Sequence, residues 1–313
     1  MKNLFDFATK ELSQDAFLRW FFESWEDEDI KPAVFEFLEK VGIETKGINE
    51  IKTVAQRDHI DVTVYIYSDK IQALYIEDKT TSSEHNQLIQ YNKSIKEQIK
   101  KYKLDRVVKV YYKTSFINDD ERRRINDANW YIFELNDINS FWTKYIHTSN
   151  LLLRDYSKYV CGICNELNGV ERPIDNNLTK WTAYFINVII PKIKEKCECS
   201  VNIRSFNGQY VYLCIRPKGY GEGYPYIEIE SRECVKNSFK AHLFAYSLDE
   251  EKYPNIRKNI CSNVTNNGVF IANPKAKSNI CRTKTYNNLK DEQFTELVLT
   301  TISEYLTIMS KIT

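Results

Sequence analysis

Residues 59–79, "HIDVTVYIYSDKIQALYIEDK", are two alternating apolar runs around a polar centre. No other segment constrains the fold as much. Successive strand side chains point to opposite faces. Ile60, Val62, Val64 and Ile66 therefore share one face, and Leu74 and Ile76 the matching face of the second run. The pattern predicts a β-hairpin with those residues on its core side. Asp61 then shares the other side with Tyr75, Glu77 and Lys79. Register decides what these charges do. A three-residue turn over 68–70 pairs Tyr67 with Ile71 and sets Asp61 opposite Glu77, with Cβ atoms about 4.5–5.5 Å apart. A two-residue turn at Asp69 and Lys70 sets Asp61 against Asp78 and sends Glu77 to the other face. In the first register the carboxylates repel unless something positive lies between them. A divalent metal meets that need, with Lys79 as a fixed cation beside it. The alternative is a solvated charged face, common on edge and surface strands.

The flanking segments predict a mixed sheet between helices. Residues 9–25 have a helical pattern, with Ala16, Phe17, Trp20 and Phe21 along one side, or a cap at Ser13 and a first turn of Gln14 and Asp15. Pro32 opens a second helix. "INEIKTVAQ" reads as a strand before the hairpin. Residues 84–103 read as an amphipathic helix, with Leu88, Tyr91, Ile95 and Ile99 at helical spacing. "RVVKVYYKTSF" and "WYIFEL" read as strands on either side of a helix or loop, "DDERRRINDAN". The order α-α-β-β-β-α-β-α-β gives an α+β fold with a mixed sheet.

All eight cysteines lie at or after Cys161, which places a domain boundary near 155: residues 1–155 form the first domain and 156–313 a second α+β domain. There, "TKWTAYFINVIIPKIKEK" reads as one helix, "SVNIRSF", "QYVYLCIRP" and "YPYIEIES" as antiparallel strands, and "DEQFTELVLTTISEYLTIM" as a closing helix. "GYGEGYP" is a turn and lacks the features of a phosphate loop. The cysteine pairs Cys161/Cys164 and Cys197/Cys199 offer a zinc module as an alternative, but their wide separation matches compact zinc sites poorly. Free thiols, a charged N-terminus and no apolar run near the roughly 20 residues of a membrane span predict a cytoplasmic protein without a membrane partner. The net charge of +1 points to no partner by itself; a local basic cleft would suffice for nucleic acid.

Asp61 together with "EDK" at Glu77 to Lys79 resembles the PD-(D/E)xK nuclease superfamily. "QLIQY" adds Gln87 and Tyr91, a QxxxY pattern similar to that in the nuclease domains of bacterial recombination helicase–nucleases; positions i and i+4 share a helix face. "ELSQDAFLRWFF" resembles the first helix of stand-alone members, with Glu11 as the matching acidic residue and Gln14 as a second candidate. The resemblance covers about residues 5–140; no Pro precedes Asp61, and inactive members carry the same signature. It implies a restriction-endonuclease-like core and a Mg2+-dependent endonuclease, acting on DNA in prokaryotic antiviral defence or restriction. It also implies that Asp61, Glu77, the Asp78 backbone carbonyl and Glu11 hold Mg2+ or Mn2+, an all-oxygen set suited to hard cations. Lys79 would orient water or stabilise developing charge, while Gln87 and Tyr91 position substrate.

Lys93, Lys96, Lys100 and Lys101 follow the QxxxY start, and Lys93, Lys96, Lys100 and Lys103 recur at helical steps, a stripe able to neutralise phosphates. Arg122, Arg123 and Arg124 read more readily as a solvated face. His59 adjoins the hairpin, where a lone histidine is usually structural. Tyr210, Tyr212, Tyr224 and Tyr226 could stack bases or serve only as sheet residues. The second half would supply specificity, sensing or assembly, with a homo-oligomer or a defence partner protein as further expectations. The competing function is a non-catalytic binding protein retaining the nuclease fold.

Overall fold

The alternating runs pair as strands β2 (Ile60–Tyr67) and β3 (Ile71–Lys79), and β1 (Glu50–Arg57) lies antiparallel on β2. Tyr67 pairs with Ile71, so the turn spans three residues. β4 (Arg106–Lys113) and β5 (Tyr131–Phe133) add in parallel, completing a five-stranded mixed sheet ordered β1-β2-β3-β4-β5. The computed structural model describes residues 3–7, 11–80, 87–206, 208–220, 223–245, 255–264, 268–273, 275 and 278–312, without the side chains of Asp6, Glu11, Asp119 and Asp120.

Both faces of the sheet are covered, and β3 is buried along almost its whole length. This follows from its central place and its parallel neighbour, since crossover helices cover both faces. Helix α1 (Glu11–Glu23) runs through Ser13, so Ser13 is no cap. It packs against β1, β2 and β3 on the face that carries the Asp78 side chain. Helix α2 (Lys31–Lys40) has Pro32 in its first turn. Helix α3 (Gln87–Tyr102) covers the other face: Leu88, Tyr91 and Ile95 pack with Tyr65, Tyr75 and Tyr111 in one buried cluster. Ile60, expected beside Val62 and Val64, joins this α3-side cluster instead. Helix α4 (Asp119–Asp127) is capped by Asn118, whose side chain accepts from the Glu121 N–H, a contact worth about 1 kcal/mol.

Two further helices were not apparent in the local pattern. α5 (Leu135–Trp142) buries Leu135, Ile138, Phe141 and Trp142, and α6 (Leu151–Asn168) buries Leu153, Tyr156, Val160 and Cys164. Tyr156 stacks on Phe17 of α1 and meets Trp142 edge-on. These contacts tie α6 to the first unit. The chain therefore divides into compact units Met1–Glu166 and Leu167–Thr313, later than the boundary the cysteine distribution suggested.

The second unit is a six-stranded antiparallel sheet, in the order β10 (Phe270–Ala272), β11 (Asn279–Thr283), β9 (Ala241–Phe244), β8 (Tyr226–Glu230), β7 (Tyr210–Pro217), β6 (Cys199–Phe206). The stretch read as one helix is interrupted: α7 (Leu178–Tyr184) and α8 (Ile190–Lys196) flank a π-helical segment, Phe185–Ile189. Pro191 has no N–H to continue the ladder, and a wider turn before it absorbs the mismatch. Helix α9 (Ile256–Asn263) precedes β10, and α10 (Asp291–Ser310) closes the chain. α7, α8 and α10 supply Trp181, Ile193, Phe294, Ile302 and Tyr305 to a core with Leu213, Ile227 and Ile229. Tyr224 belongs to this core, and the Arg232 guanidinium lies 3.9 Å from the Tyr210 ring centre. Among the described residues, no helix is long and apolar enough to cross a membrane.

Candidate functional site

The three-residue turn fixes the hairpin register. Val62 pairs with Ile76, and the next step of the ladder sets Asp61 across from Glu77. The alternative pairing of Asp61 with Asp78 does not occur. Asp78 instead orients Asp61 through its backbone: its N–H donates to Asp61 Oδ2 at 2.8 Å. Lys79 Nζ lies 2.6 Å from Glu77 Oε1 and 3.8 Å from Asp61 Oδ2. Two carboxylates and an ammonium thus converge on the α3 side of the C-terminal end of β3.

Glu77 is only 1% exposed. Burial first, and the neighbouring Asp61 charge second, push its pKa up to about 8, outweighing the opposite pull of Lys79. Its Oε2 is buried and accepts no hydrogen bond among the described residues. An orphaned carboxylate oxygen next to a second carboxylate is a donor set suited to a hard dication. Asp61 and Glu77 are the side chains that could hold one. Among the described residues no three His, Cys, Asp or Glu side chains gather at one point.

Strand parity sends the Asp78 side chain to the other face, beneath α1. There Gln14 Nε2 donates to Asp78 Oδ1. Burial and the charge of Asp15 hold the Asp78 carboxyl well above the usual carboxylate range. Gln14 therefore belongs to a second polar cluster, behind the sheet from Glu77. Glu11 is the first residue of α1, but its side chain lies outside the described residues. Gln87 is exposed at the start of α3, and residues 81–86 before it lie outside the described residues. Tyr91 is buried, its ring tilted against Trp130 at 6.3 Å. The segment "QLIQY" thus places Gln87 toward solvent and Tyr91 in the cluster under β3. Lys93, Lys96, Lys100 and Lys101 lie along α3, and all four are exposed. Arg122 is engaged by Glu134 at 2.6 Å.

Sequence reasoning missed a second ion pair next to the first. In the parallel ladder Tyr111 lies beside Glu77 and Lys113 beside Lys79. Lys113 Nζ donates to both Glu121 oxygens at 2.8 Å, and the Tyr111 hydroxyl donates to Glu121 Oε1 at 2.6 Å. Lys113 is 2% exposed and Glu121 is fully buried. Desolvation lowers the Lys113 pKa despite the attraction of Glu121. The available signal was the alternation of "VYYK", which puts Tyr111 and Lys113 on one face, and Glu121 three residues after a capping Asn118. The sheet end thus carries Lys79 and Lys113 side by side, each tied to a buried glutamate.

The eight cysteines are free thiols; Cys164 Sγ donates to the Leu135 carbonyl at 3.6 Å within its own unit. A comparison with known protein-family models, curated proteins and solved structures finds no match for this chain.

Proposed function

We propose that the protein is a metal-dependent nuclease that hydrolyses phosphodiester bonds, most readily understood as a DNA endonuclease of prokaryotic defence with a restriction-endonuclease-like core. One observation carries this reading: Asp61, Glu77 and Lys79 meet at one point, with a buried Glu77 oxygen left over for a cation. The arrangement of an antiparallel β1-β2-β3 meander joined in parallel to β4 and β5 supports it. When bound, Mg2+ or Mn2+ supplies Lewis acidity to the phosphodiester and its attacking water. Asp61 and Glu77 would hold the cation, with the Asp78 carbonyl and Glu11 as further oxygen donors. The Asp78 N–H bond fixes the Asp61 carboxylate before any ligand arrives, so little reorganisation remains at binding. Lys79, within reach of both carboxylates, would stabilise the charge that develops on the phosphate. Gln87 at the rim positions the strand, Tyr91 supports the helix that carries it, and the lysines of α3 contribute sequence-independent phosphate attraction.

The test is cleavage of a panel of single- and double-stranded DNA and RNA with Mg2+, Mn2+ or EDTA. Asp61→Asn and Lys79→Ala should each reduce metal-dependent cleavage by at least about a hundredfold while the circular dichroism spectrum stays unchanged. Equal cleavage by the variants would refute the assignment. The direct Lys79–Glu77 pair at 2.6 Å favours a second reading, a binding protein whose charges satisfy each other. That reading predicts nucleic-acid binding without cleavage under every metal condition.

A further inference from the structure

The connection between β1 and β2 is a strained tip. Arg57 pairs with Ile60, leaving a two-residue turn of Asp58 and His59, both left-handed at φ 54° and 69°. Such turns require positive φ at both positions and are normally built from Asn-Gly. Here neither residue is glycine. Gln56 is also left-handed, at φ 47°, and nothing in a two-residue turn demands that. Gln56 lies opposite Asp61, at the position the β1–β2 ladder skips between the Ala55–Val62 and Arg57–Ile60 pairs, so the distortion adjoins the candidate site. Left-handed residues of this kind persist only where the surroundings hold them.

The surroundings hold the tip at Arg57 and Asp58, and from one side. Gln98 of α3 donates through Nε2 to Asp58 Oδ2 at 2.6 Å. Arg57 donates to the Tyr65 hydroxyl at 3.1 Å and lies over the Tyr65 and Tyr102 rings. The Tyr65 and Tyr75 hydroxyls both donate to Gln98 Oε1, at 2.9 and 3.0 Å. Ile60 joins the same α3-side cluster. Every clamp lies on the face that also carries Asp61, Glu77 and Lys79. Arg57 and Asp58 are consumed by these clamps. Gln56 and His59 are exposed and make no hydrogen bond through their side chains with the described residues.

We propose that this tip grips the substrate strand beside the candidate site, with the His59 imidazole donating a hydrogen bond to the phosphate next to the cleaved bond and Gln56 contacting the same nucleotide. The inference rests on the nuclease reading for its ligand, a phosphodiester polymer. The Cα atoms of His59 and Asp61 are within about 7 Å of each other along the chain. A strand seated on Asp61 therefore passes His59. The strain then has a use, since the clamped tip presents an imidazole with its backbone already fixed.

Three variants separate contact from strain: His59→Gly, His59→Ala and Gln56→Gly. Binding of a labelled oligonucleotide in Ca2+ and steady-state cleavage in Mg2+ are the readouts, with Tm measured alongside. Losing one hydrogen bond to a charged group should weaken binding about tenfold. Both His59 variants should raise Kd and KM by about that factor with kcat within about twofold. His59→Gly should also raise Tm by a few degrees, because glycine relieves the left-handed strain; His59→Ala should not. Gln56→Gly should raise Tm and weaken binding less. Unchanged Kd and KM in His59→Gly would overturn the proposal, as would a defect confined to His59→Ala, which would mark a backbone role alone. If the wild type binds the oligonucleotide without cleaving it and His59→Gly loses that binding, the nuclease reading fails and the grip stands. No binding by the wild type overturns the grip.

Discussion

Glu77→Gln is the perturbation that most directly reads the electrostatics of the hairpin. The carboxyl titrates near its ordinary 4.5 in the unfolded chain and at about 8 in the fold. The native state therefore holds a proton that the unfolded chain has already lost. Stability falls as pH rises between those values, because folding must either keep that proton or bury a charge. Below 4.5 both states are protonated and the contribution is fully present; above about 8 its loss is complete. The gap between 4.5 and about 8, at 1.36 kcal/mol per pH unit, is worth about 5 kcal/mol at most. The glutamine variant would keep the shape and lose the titration. Urea denaturation in EDTA, at half-unit steps from about pH 5 to 8.5, should find the variant within about 1 kcal/mol of wild type at the acidic end. Its advantage should then grow by up to about 1.4 kcal/mol per pH unit and level off near pH 8. A stability difference that does not change with pH over this range would refute the argument. Glu77 would then be an ordinary ionised partner of Lys79.

Removing one member of the buried Lys113–Glu121 pair strands the other charge, so Lys113→Met and Glu121→Leu should each cost about 3–5 kcal/mol in chemical denaturation, and the double variant much less than their sum. Asp78→Asn keeps an acceptor for Gln14 while ending the confrontation with Asp15; it should raise stability at pH 7 by about 1 kcal/mol or more, measured as a shift in urea midpoint. Asn118→Ala, which removes the α4 cap, should cost about 1 kcal/mol by the same assay. Tyr305→Phe deletes the hydrogen bond to the Pro225 carbonyl at 2.6 Å in the second unit and should lower its stability by about 1–2 kcal/mol, seen as faster amide exchange in α10 and β8.

The hairpin was legible because a period of two and a turn length together determine which residues face each other. Alternation and the three-residue turn alone put Asp61, Glu77 and Lys79 on one face. The α3 pattern was legible for the same reason at a period near 3.6. Lys113 and Glu121 were not, because parallel pairing of β3 with β4 is set by a crossover through α3 and leaves no local trace. Their alternation was visible, but their neighbours were not. α5 contains Asn136, Asp137 and Ser140, weak helix formers, and its helix exists because Ile138, Phe141 and Trp142 are buried. The cysteine distribution places a boundary near 155, inside α6, whereas the stacking of Tyr156 on Phe17 binds that helix to what precedes. Nothing in "QRDH" announces three left-handed residues; the partner that holds Asp58, Gln98, lies far along the chain. Alternation did predict that Asp78 would turn away from Glu77, but not that Gln14 and Asp15 would be waiting for it.

The end of β3 carries acidic groups on both of its sides, separated by one thickness of backbone. Asp61 opposes ionisation of Glu77 in front and of Asp78 behind. The backbone of β3 therefore does not insulate its two faces: one carboxylate bears on an acid in front and on another behind. A positive charge arriving in front would favour ionisation of Asp78 beneath α1 without a side chain crossing the sheet.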